Sequence, residues 1–493
     1  MTSDLRRLAL GTVLPAFTGT TAPAWLLDRL REGLAGVVLF GRNIVSPEQV
    51  AALVRQIRDV RPDAIVAIDE EGGDVTRIHH DRGSPYPGNR VLSEHGDLAA
   101  TRAVGRGIGA ELRDLGINYN LAPIGDYVTD PLSPLTTRSF GRGPRDNAEH
   151  AAAWVQGLQE AGVAACVKHY PGLGGSLLDS HLALGRVPAS RAEFESGHLR
   201  TFVRAAEAGT ASMMTAHVIV ECLDTEAPTT LSGTVIGRLL RDEIGYDGVL
   251  ISDALEMHGV LNHTGSLPAA AVGALRAGVD LLCLGAEQYE EATTAVVDAI
   301  VVAARSGALA IDRLHEAGRR VEAMARAYPG TPGVPGTSDT AAERAMGAAA
   351  AWGATATEGE VSIAGSGVHV VTFDDRTSIA AGPVPWGIGP ELRAAGVEFR
   401  DLVLSPPINE DPDLSDVTPS DVVVAVVRDL PRHPASVEVF ARLRAPRLVV
   451  VDMGYPGTEY PGAAGVIRTF GASRASSAAA VRALTEAGAN LVG

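Results

Sequence analysis

Residues 168–181 (KHYPGLGGSLLDSH) hold the densest group of reactive side-chain types in this chain. Lys168 and His169 end a short apolar run, a Pro/Gly-rich stretch follows, and Asp179 and His181 close the segment with one residue between them. An imidazole held by a neighbouring carboxylate can give and take a proton near neutral pH, so the Asp179/His181 pair is an acid/base device. Ser252 and Asp253 end another apolar run, which supplies a carboxylate nucleophile apart from that pair. Comparable runs end in Asp69, Glu70 and Glu71, followed by Arg77; in Asp126, followed by Arg138; and in His217.

Several chemistries are excluded by spacing. Gly172, Gly174 and Gly175 lack both the Lys-Ser/Thr of a phosphate cradle and the dinucleotide pattern. His169, His181, His217 and Asp253 are metal-ligand types, but no compact HxxxH or CxxC spacing supports a metal, and no serine sits in a nucleophile elbow. No metal or cofactor is expected. A carboxylate nucleophile and a separate acid/base remain, surrounded by Asp, Arg, Lys and His that can hydrogen-bond hydroxyls. That is equipment for a sugar and a retaining glycosidase mechanism.

The elements that must position these groups alternate. Apolar, β-rich runs at 8–14, 36–40, 64–69, 117–122, 164–169, 211–217, 248–253 and 279–284 read as eight strands. Amphipathic stretches at 47–60, 98–115, 147–161, 192–208, 232–244 and 267–277 read as helices between them. Near-continuous apolar strands imply a parallel sheet covered on both faces, and eight such units imply a (β/α)8 TIM-like barrel over residues 1–327. Every reactive group above then falls at the C-terminal rim. A doubly wound open sheet is the structural alternative. Dense Pro/Gly punctuation marks 328–345 as a linker, and 346–493, with strand-like runs at 368–373, 421–427 and 447–453 and helices at 435–444 and 474–487, reads as a smaller αβα sandwich domain.

The bulk numbers narrow the class. At 493 residues the chain exceeds one typical domain. A net charge of −17 excludes a phosphate-neutralising surface, so no nucleic acid is expected, and no basic cluster or ~20-residue apolar run points to a membrane. Cys166, Cys222 and Cys283 each lie in or near an apolar run and read as buried free thiols in a reducing compartment. The start of the chain has a superficial signal-peptide look, but Gly11, Thr12 and Pro15 interrupt it and it reads as a first strand. A cytoplasmic protein, monomer or homodimer, is expected.

In four ordered motifs the chain resembles glycoside hydrolase family 3, in its β-N-acetylglucosaminidase branch. IDEEGG (68–73) is similar to the family's IDQEGG; RSFG (138–141), preceded by LAPIGD (121–126), matches its loop; 168–181 is similar to KHFPGHGDTxxDSH; and SDALEMHG (252–259) looks like its nucleophile segment. The resemblance runs from about residue 8 to 325. It implies Asp253 as nucleophile, His181 as acid/base held by Asp179, and Asp69, Arg77, Arg138, Lys168, His169 and Met257 around the terminal sugar. It also implies a small oligosaccharide substrate ending in N-acetylglucosamine, a peptidoglycan fragment or a chitooligosaccharide, and an αβα second domain.

Four positions depart from the pattern: a His and an Asp are replaced by Leu173 and Gly175, an Arg by Asp74, and a Gln by Glu70. A histidine acid/base becomes neutral after giving up its proton and so repels an anionic acceptor less than a carboxylate would, which leaves phosphorolysis as an alternative to hydrolysis. A weakly catalytic sugar-binding protein is the other alternative.

Overall fold

Each of the eight apolar runs expected as strands contributes one. In the computed structural model, which describes residues 2–176, 184–285, 289–330, 339–375 and 380–486, they are β1 (Val13–Pro15), β2 (Gly36–Leu39), β3 (Ile65–Ile68), β4 (Tyr119–Asn120), β5 (Ala164–Tyr170), β7 (Ser212–Thr215), β9 (Val249–Ser252) and β10 (Leu282–Leu284). Two short strands, β6 (Gly185–Val187) and β8 (Val218–Val220), pair with each other.

The ladder β2-β3-β4-β5-β7-β9 is parallel throughout, and β1 pairs in parallel with β10. A parallel bridge between Ile251 and Leu281 carries the order from β9 to β10. Ala35 N donates to Leu10 O beside β1 and β2, which lack a ladder of their own. The result is a TIM-like barrel. Its interior holds Leu14, Val38, Ile65, Ala67, Tyr119, Cys166, Met214, Ile251 and Cys283, each large apolar side chain contributing about 1.5–3 kcal/mol by leaving water.

The helices follow local chemistry. Ser46 accepts a hydrogen bond from Gln49 N and Pro47 opens the helix Pro47–Val60; Ser266 and Pro268 do the same for Leu267–Ala277, which Gly278 ends in the left-handed region. The stretch 192–208, expected as one helix, is two, Arg191–Ser196 and Arg200–Glu207, parted at Gly197. Residues Thr234–Glu243 wind as a π-helix.

The N-terminal expectation is corrected. Residues Thr2–Leu10 form a helix, with Asp4 in its first turn and Arg7 in its last, and the strand begins only at Val13. Ala9 and Leu10 are buried, so helical burial, and not strand alternation, explains the apolar spacing. Cys166 and Cys283 are buried free thiols as expected, whereas Cys222 is half-exposed. Among the described residues, no helix is long and apolar enough to cross a membrane.

The chain divides into two units: Met1–Glu70 with Thr101–Tyr127 and Gly143–Ala342, and Glu71–Ala100 with Val128–Arg142 and Glu343–Gly493. The second is built on a sheet of β11 (Ala356–Gly359), β12 (Val368–Phe373), β13 (Arg400–Leu404), β14 (Val422–Val427), β15 (Leu448–Asp452) and β16 (Gly465–Arg468), ordered β11-β16-β15-β14-β12-β13. Only β11 is antiparallel. Separate apolar clusters lie about Val424, Val449 and Ile467 and about Val371, Val423 and Val450, the layering of an αβα sandwich. Of the linker expected at 328–345, residues 331–338 lie outside the described residues, and the helix Ala341–Ala354 begins within the remainder.

The two inserted segments belong to this second unit through specific bonds. Tyr455 Oη donates to Val128 O at 3.1 Å, Arg474 N to Ser84 O at 3.0 Å and Ala472 N to Asp74 Oδ1 at 2.9 Å. Asp74 Oδ2 also accepts from Thr137 Oγ1 at 2.6 Å. The acid that departs from the family pattern therefore joins both insertions to the segment after β16.

Candidate active site

In a parallel barrel the strand C-termini converge at one face, where backbone carbonyls end and side chains of successive loops meet. Lys168 and Asp69 meet there from β5 and β3: Lys168 Nζ donates to Asp69 Oδ1 at 2.6 Å, the lysine side chain buried and the aspartate 16% exposed. The β3 end is held by Asn120 of β4, whose Oδ1 accepts from Glu70 N at 2.9 Å and whose Nδ2 donates to Glu70 O at 2.8 Å. The Lys168–His169 peptide is cis, as are Ala122–Pro123 and Tyr170–Pro171.

His169 stands between two carboxylates. Asp126 Oδ2 accepts from His169 N at 3.0 Å and from Nδ1 at 2.7 Å, while its Oδ1 accepts from Leu173 N at 2.7 Å. Asp126 is fully buried, so the aspartate saturated by three donors fixes both the imidazole and the turn after it. With Nδ1–H committed to Asp126, Nε2 is the free ring edge. It lies 3.9 Å from Asp253 Oδ2. Asp253 Oδ1 accepts from Ala254 N at 2.8 Å. One oxygen of that carboxylate is thus fixed by backbone and the other faces the imidazole.

His217 has a different role from the one its position at the rim allowed. Its Nε2 donates to Ala254 O at 3.0 Å and its Nδ1 pairs with Thr230 Oγ1 at 2.8 Å, the imidazole and Thr230 both fully buried. Its Nε2 thus ties the segment that carries Asp253 to the Thr229–Leu231 turn, which Nδ1 engages. Met257, buried, begins the helix His258–Thr264 four residues after the aspartate.

Arg138 and Arg77 lie in the second unit. Arg138 makes a two-pronged ion pair with Glu71, Nε to Oε2 at 3.0 Å and Nη2 to Oε1 at 2.8 Å, a geometry that orients the guanidinium plane. Arg77 donates from Nη2 to Ala380 O at 2.7 Å and from Nη1 to Ala381 O at 3.3 Å. Asp179 and His181 lie outside the described residues.

The loop that holds the departures at 173 and 175 is closely packed. A Cβ on Gly174 would stand 2.1 Å from Tyr127 O, so only glycine fits. At Gly175 it would meet His198 Nε2 at 3.0 Å and Val187 Cγ1 at 3.2 Å. His198 fills the room that a side chain at 175 would take. Burial holds the His198 imidazole below the usual histidine range. Leu173 is buried and its backbone is held by Asp126.

Comparison with known proteins decides the family. The glycosyl hydrolase family 3 N-terminal domain model matches residues 20–324. The chain belongs to glycosyl hydrolase family 3. A β-hexosaminidase of Alkalilimnicola ehrlichii is 37% identical over 299 residues, 59% of this chain and 84% of that protein. Among solved structures, a family 3 β-N-acetylglucosaminidase from Paenibacillus sp. superposes with a TM-score of 0.86 at 28% identity, covering 98% of this chain and 96% of that one. NagZ from Neisseria gonorrhoeae, solved with N-trifluoroacetyl-D-glucosamine, gives a TM-score of 0.57 at 28% identity over 69% of this chain and 98% of its own. The two-domain family 3 architecture thus extends over nearly the whole chain.

Sequence reasoning quoted Asp126 within its motif and gave it no task. A charged residue directly after an apolar strand run and a Pro-Ile-Gly turn was the available signal. Glu71 was noted at the rim, but not as the partner of Arg138.

Proposed function

We propose that this family 3 protein, an enzyme of the β-hexosaminidase type, is a retaining β-N-acetylglucosaminidase that removes non-reducing terminal β-linked N-acetylglucosamine from short oligosaccharides. The observation that carries the reading is the Asp126–His169–Asp253 array beside the Lys168–Asp69 pair, all at strand ends of the barrel. Asp253 attacks the anomeric carbon, forming a glycosyl-enzyme, while His181 gives its proton to the departing oxygen; His181 then takes a proton from the water that releases the sugar. Asp179 holds the imidazole of His181, an assignment that rests on the motif. Lys168, His169 and Asp69 hydrogen-bond sugar hydroxyls, with Met257 lining the pocket. Arg138 and Arg77 join this set through their motif positions, each with its guanidinium already held.

We assign the catalytic apparatus to residues 1–327, ahead of the proposed linker 328–345 and the 346–493 part, and the setting to the cytoplasm, where peptidoglycan fragments or chitooligosaccharides would be consumed. Turnover of an aryl N-acetyl-β-glucosaminide by wild type, with slow glycosyl-enzyme breakdown trapped as a mass increase of one N-acetylhexosamine on the Asp253 peptide, tests the reading. A label on any other residue would overturn it. A histidine acid/base at 181, neutral once it has given up its proton, repels an anionic acceptor less than a carboxylate would and so supports phosphorolysis as a second reading; it predicts sugar 1-phosphate in place of free sugar when inorganic phosphate is added.

A further inference from the structure

Among the described residues, six arginines stack on aromatic rings: Arg42, Arg90, Arg241, Arg393, Arg428 and Arg482. Five of them also have a carboxylate within 4.0 Å, on Glu94, Asp280, Asp401, Asp74 and Glu486 respectively. Arg42 has no acidic partner among the described residues, although it is the most firmly stacked of the set. Its guanidinium carbon lies 4.5 Å from the Phe40 ring centroid and 5.3 Å from that of Tyr289, and its Nε donates to Phe17 O at 3.4 Å.

The turn that carries Arg42 is fixed. Buried Asn43 accepts from Phe40 N at 2.9 Å and donates from Nδ2 to Phe17 O and Gly19 O at 3.0 and 2.8 Å. Gly41–Asn43 directly follows β2, so the exposed Arg42 stands at the strand-end face shared by Asp69, Asp126 and Asp253. The surroundings run on toward the nucleophile. A Cβ on Gly285 would meet Glu256 Oε1 at 2.6 Å and Phe40 Cζ at 3.7 Å, and Glu256 is three residues past Asp253. A Cβ on Gly41 would meet nothing within 4 Å, which leaves open space beside the arginine.

A guanidinium held by two rings and a carbonyl loses little further freedom on binding and presents its terminal N–H fork in the geometry that matches a carboxylate. In a chain of net charge −17 such an unpaired cation at the rim is out of character unless an anion comes to it. We propose that Arg42 recognises a carboxylate on the leaving-group side, so that the enzyme selects acidic aglycones. The proposal rests on the β-N-acetylglucosaminidase reading above.

Three disaccharides test it: N-acetylglucosamine β1,4-linked to N-acetylmuramic acid, to glucuronic acid, and to a second N-acetylglucosamine. The readout is the ratio of kcat/KM for each acidic disaccharide over the neutral one. For at least one acid, wild type is expected to show a ratio of about five to ten, carried mainly by KM and compressed by added salt. Arg42→Ala and Arg42→Gln should bring it toward one, and Arg42→Lys should retain part of it because the charge survives without the fork. Which acid is favoured distinguishes an ether-linked from a ring carboxylate. A wild-type ratio near one, or a ratio that survives in both Arg42→Ala and Arg42→Gln, overturns the proposal. If wild type cleaves none of the three and no aryl N-acetylglucosaminide, the underlying reading fails instead.

Discussion

The barrel and the second sheet both end parallel strands in carboxylates, but surround them differently. In the barrel, Asp69 faces the Lys168 ammonium, and Asp126 and Asp253 flank the His169 imidazole. In the second sheet, Asp375, Asp429 and Asp452 follow or end β12, β14 and β15 and are held by Ser436 Oγ, Tyr455 N and Gly454 N. Burial pushes all three of those carboxyls above the usual range, Asp452 to about 6. The difference teaches what strand-end position does and does not imply. Placing an acid there is a matter of topology; what surrounds it sets its task, side-chain cations or imidazole in the barrel and chiefly burial in the second sheet.

The largest effect expected from this contrast is at the nucleophile. Asp253→Ala should lower kcat/KM on an aryl N-acetyl-β-glucosaminide by about 10⁴-fold, whereas Asp375→Ala should leave it within a few fold. Comparable losses in the two variants would erase the distinction. Next comes Asp126→Ala, which strands three donors, one of them on the His169 imidazole. It should cost about 3–5 kcal/mol of stability and about 10²-fold in activity, read from urea unfolding and steady-state rates; a variant with wild-type kinetics would remove Asp126 from the site.

Asp452 provides the converse test. Its folded pKa of about 6 lies above the ordinary 3.8, so the folded state binds the proton more tightly. Stability from this group is present below about pH 4, is lost as pH rises through 6, and stays lost above. Asp452→Asn should therefore stabilise the protein at pH 7.5 relative to pH 4 by about 3 kcal/mol, measured as the change in unfolding free energy at the two pH values. An Asn variant with the same pH dependence as wild type would show that Asp452 is ionised and partnered after all. The smallest effect concerns the turn that Asp126 holds. Gly175→Ala brings a Cβ to 3.0 Å from His198 Nε2 and should cost about 1 kcal/mol. In a His198→Ala background most of that cost should vanish, a coupling that a double-mutant cycle measures.

How much of this was legible in the sequence follows from burial. The barrel strands are buried on both faces, so they read as apolar runs and all eight were found. The central strands of the second sheet were found for the same reason. Its missed strands are β11, fully exposed and written ATEG, β13, with alternating exposure at an edge, and the four-residue β16. None presents an apolar run of useful length. At the N-terminus a helix and a strand follow one another with only Gly11 and Thr12 between them, and apolar content alone did not separate them. In the site, Asp69, Lys168, His169 and Asp253 were legible because their motifs put reactive types at strand ends. Asp126 was not assigned, because a buried acid and a capping acid look alike until three donors are seen to point at it.

The second unit's assembly from three stretches of chain has a consequence in the order of synthesis. Asp74 and Ala472, which bond, are separated by 398 positions. At a typical elongation rate of 5–20 residues per second, Asp74 leaves the ribosome about 20–80 seconds before its partner exists. Throughout that interval residues 71–100 and 128–142 must wait without the residues that Tyr455, Ala472 and Arg474 contribute. A nascent chain arrested before residue 450 should be cut by protease within those two segments, and a completed chain should not. The stretch from Tyr455 to Arg474 thus governs when two much earlier segments become safe.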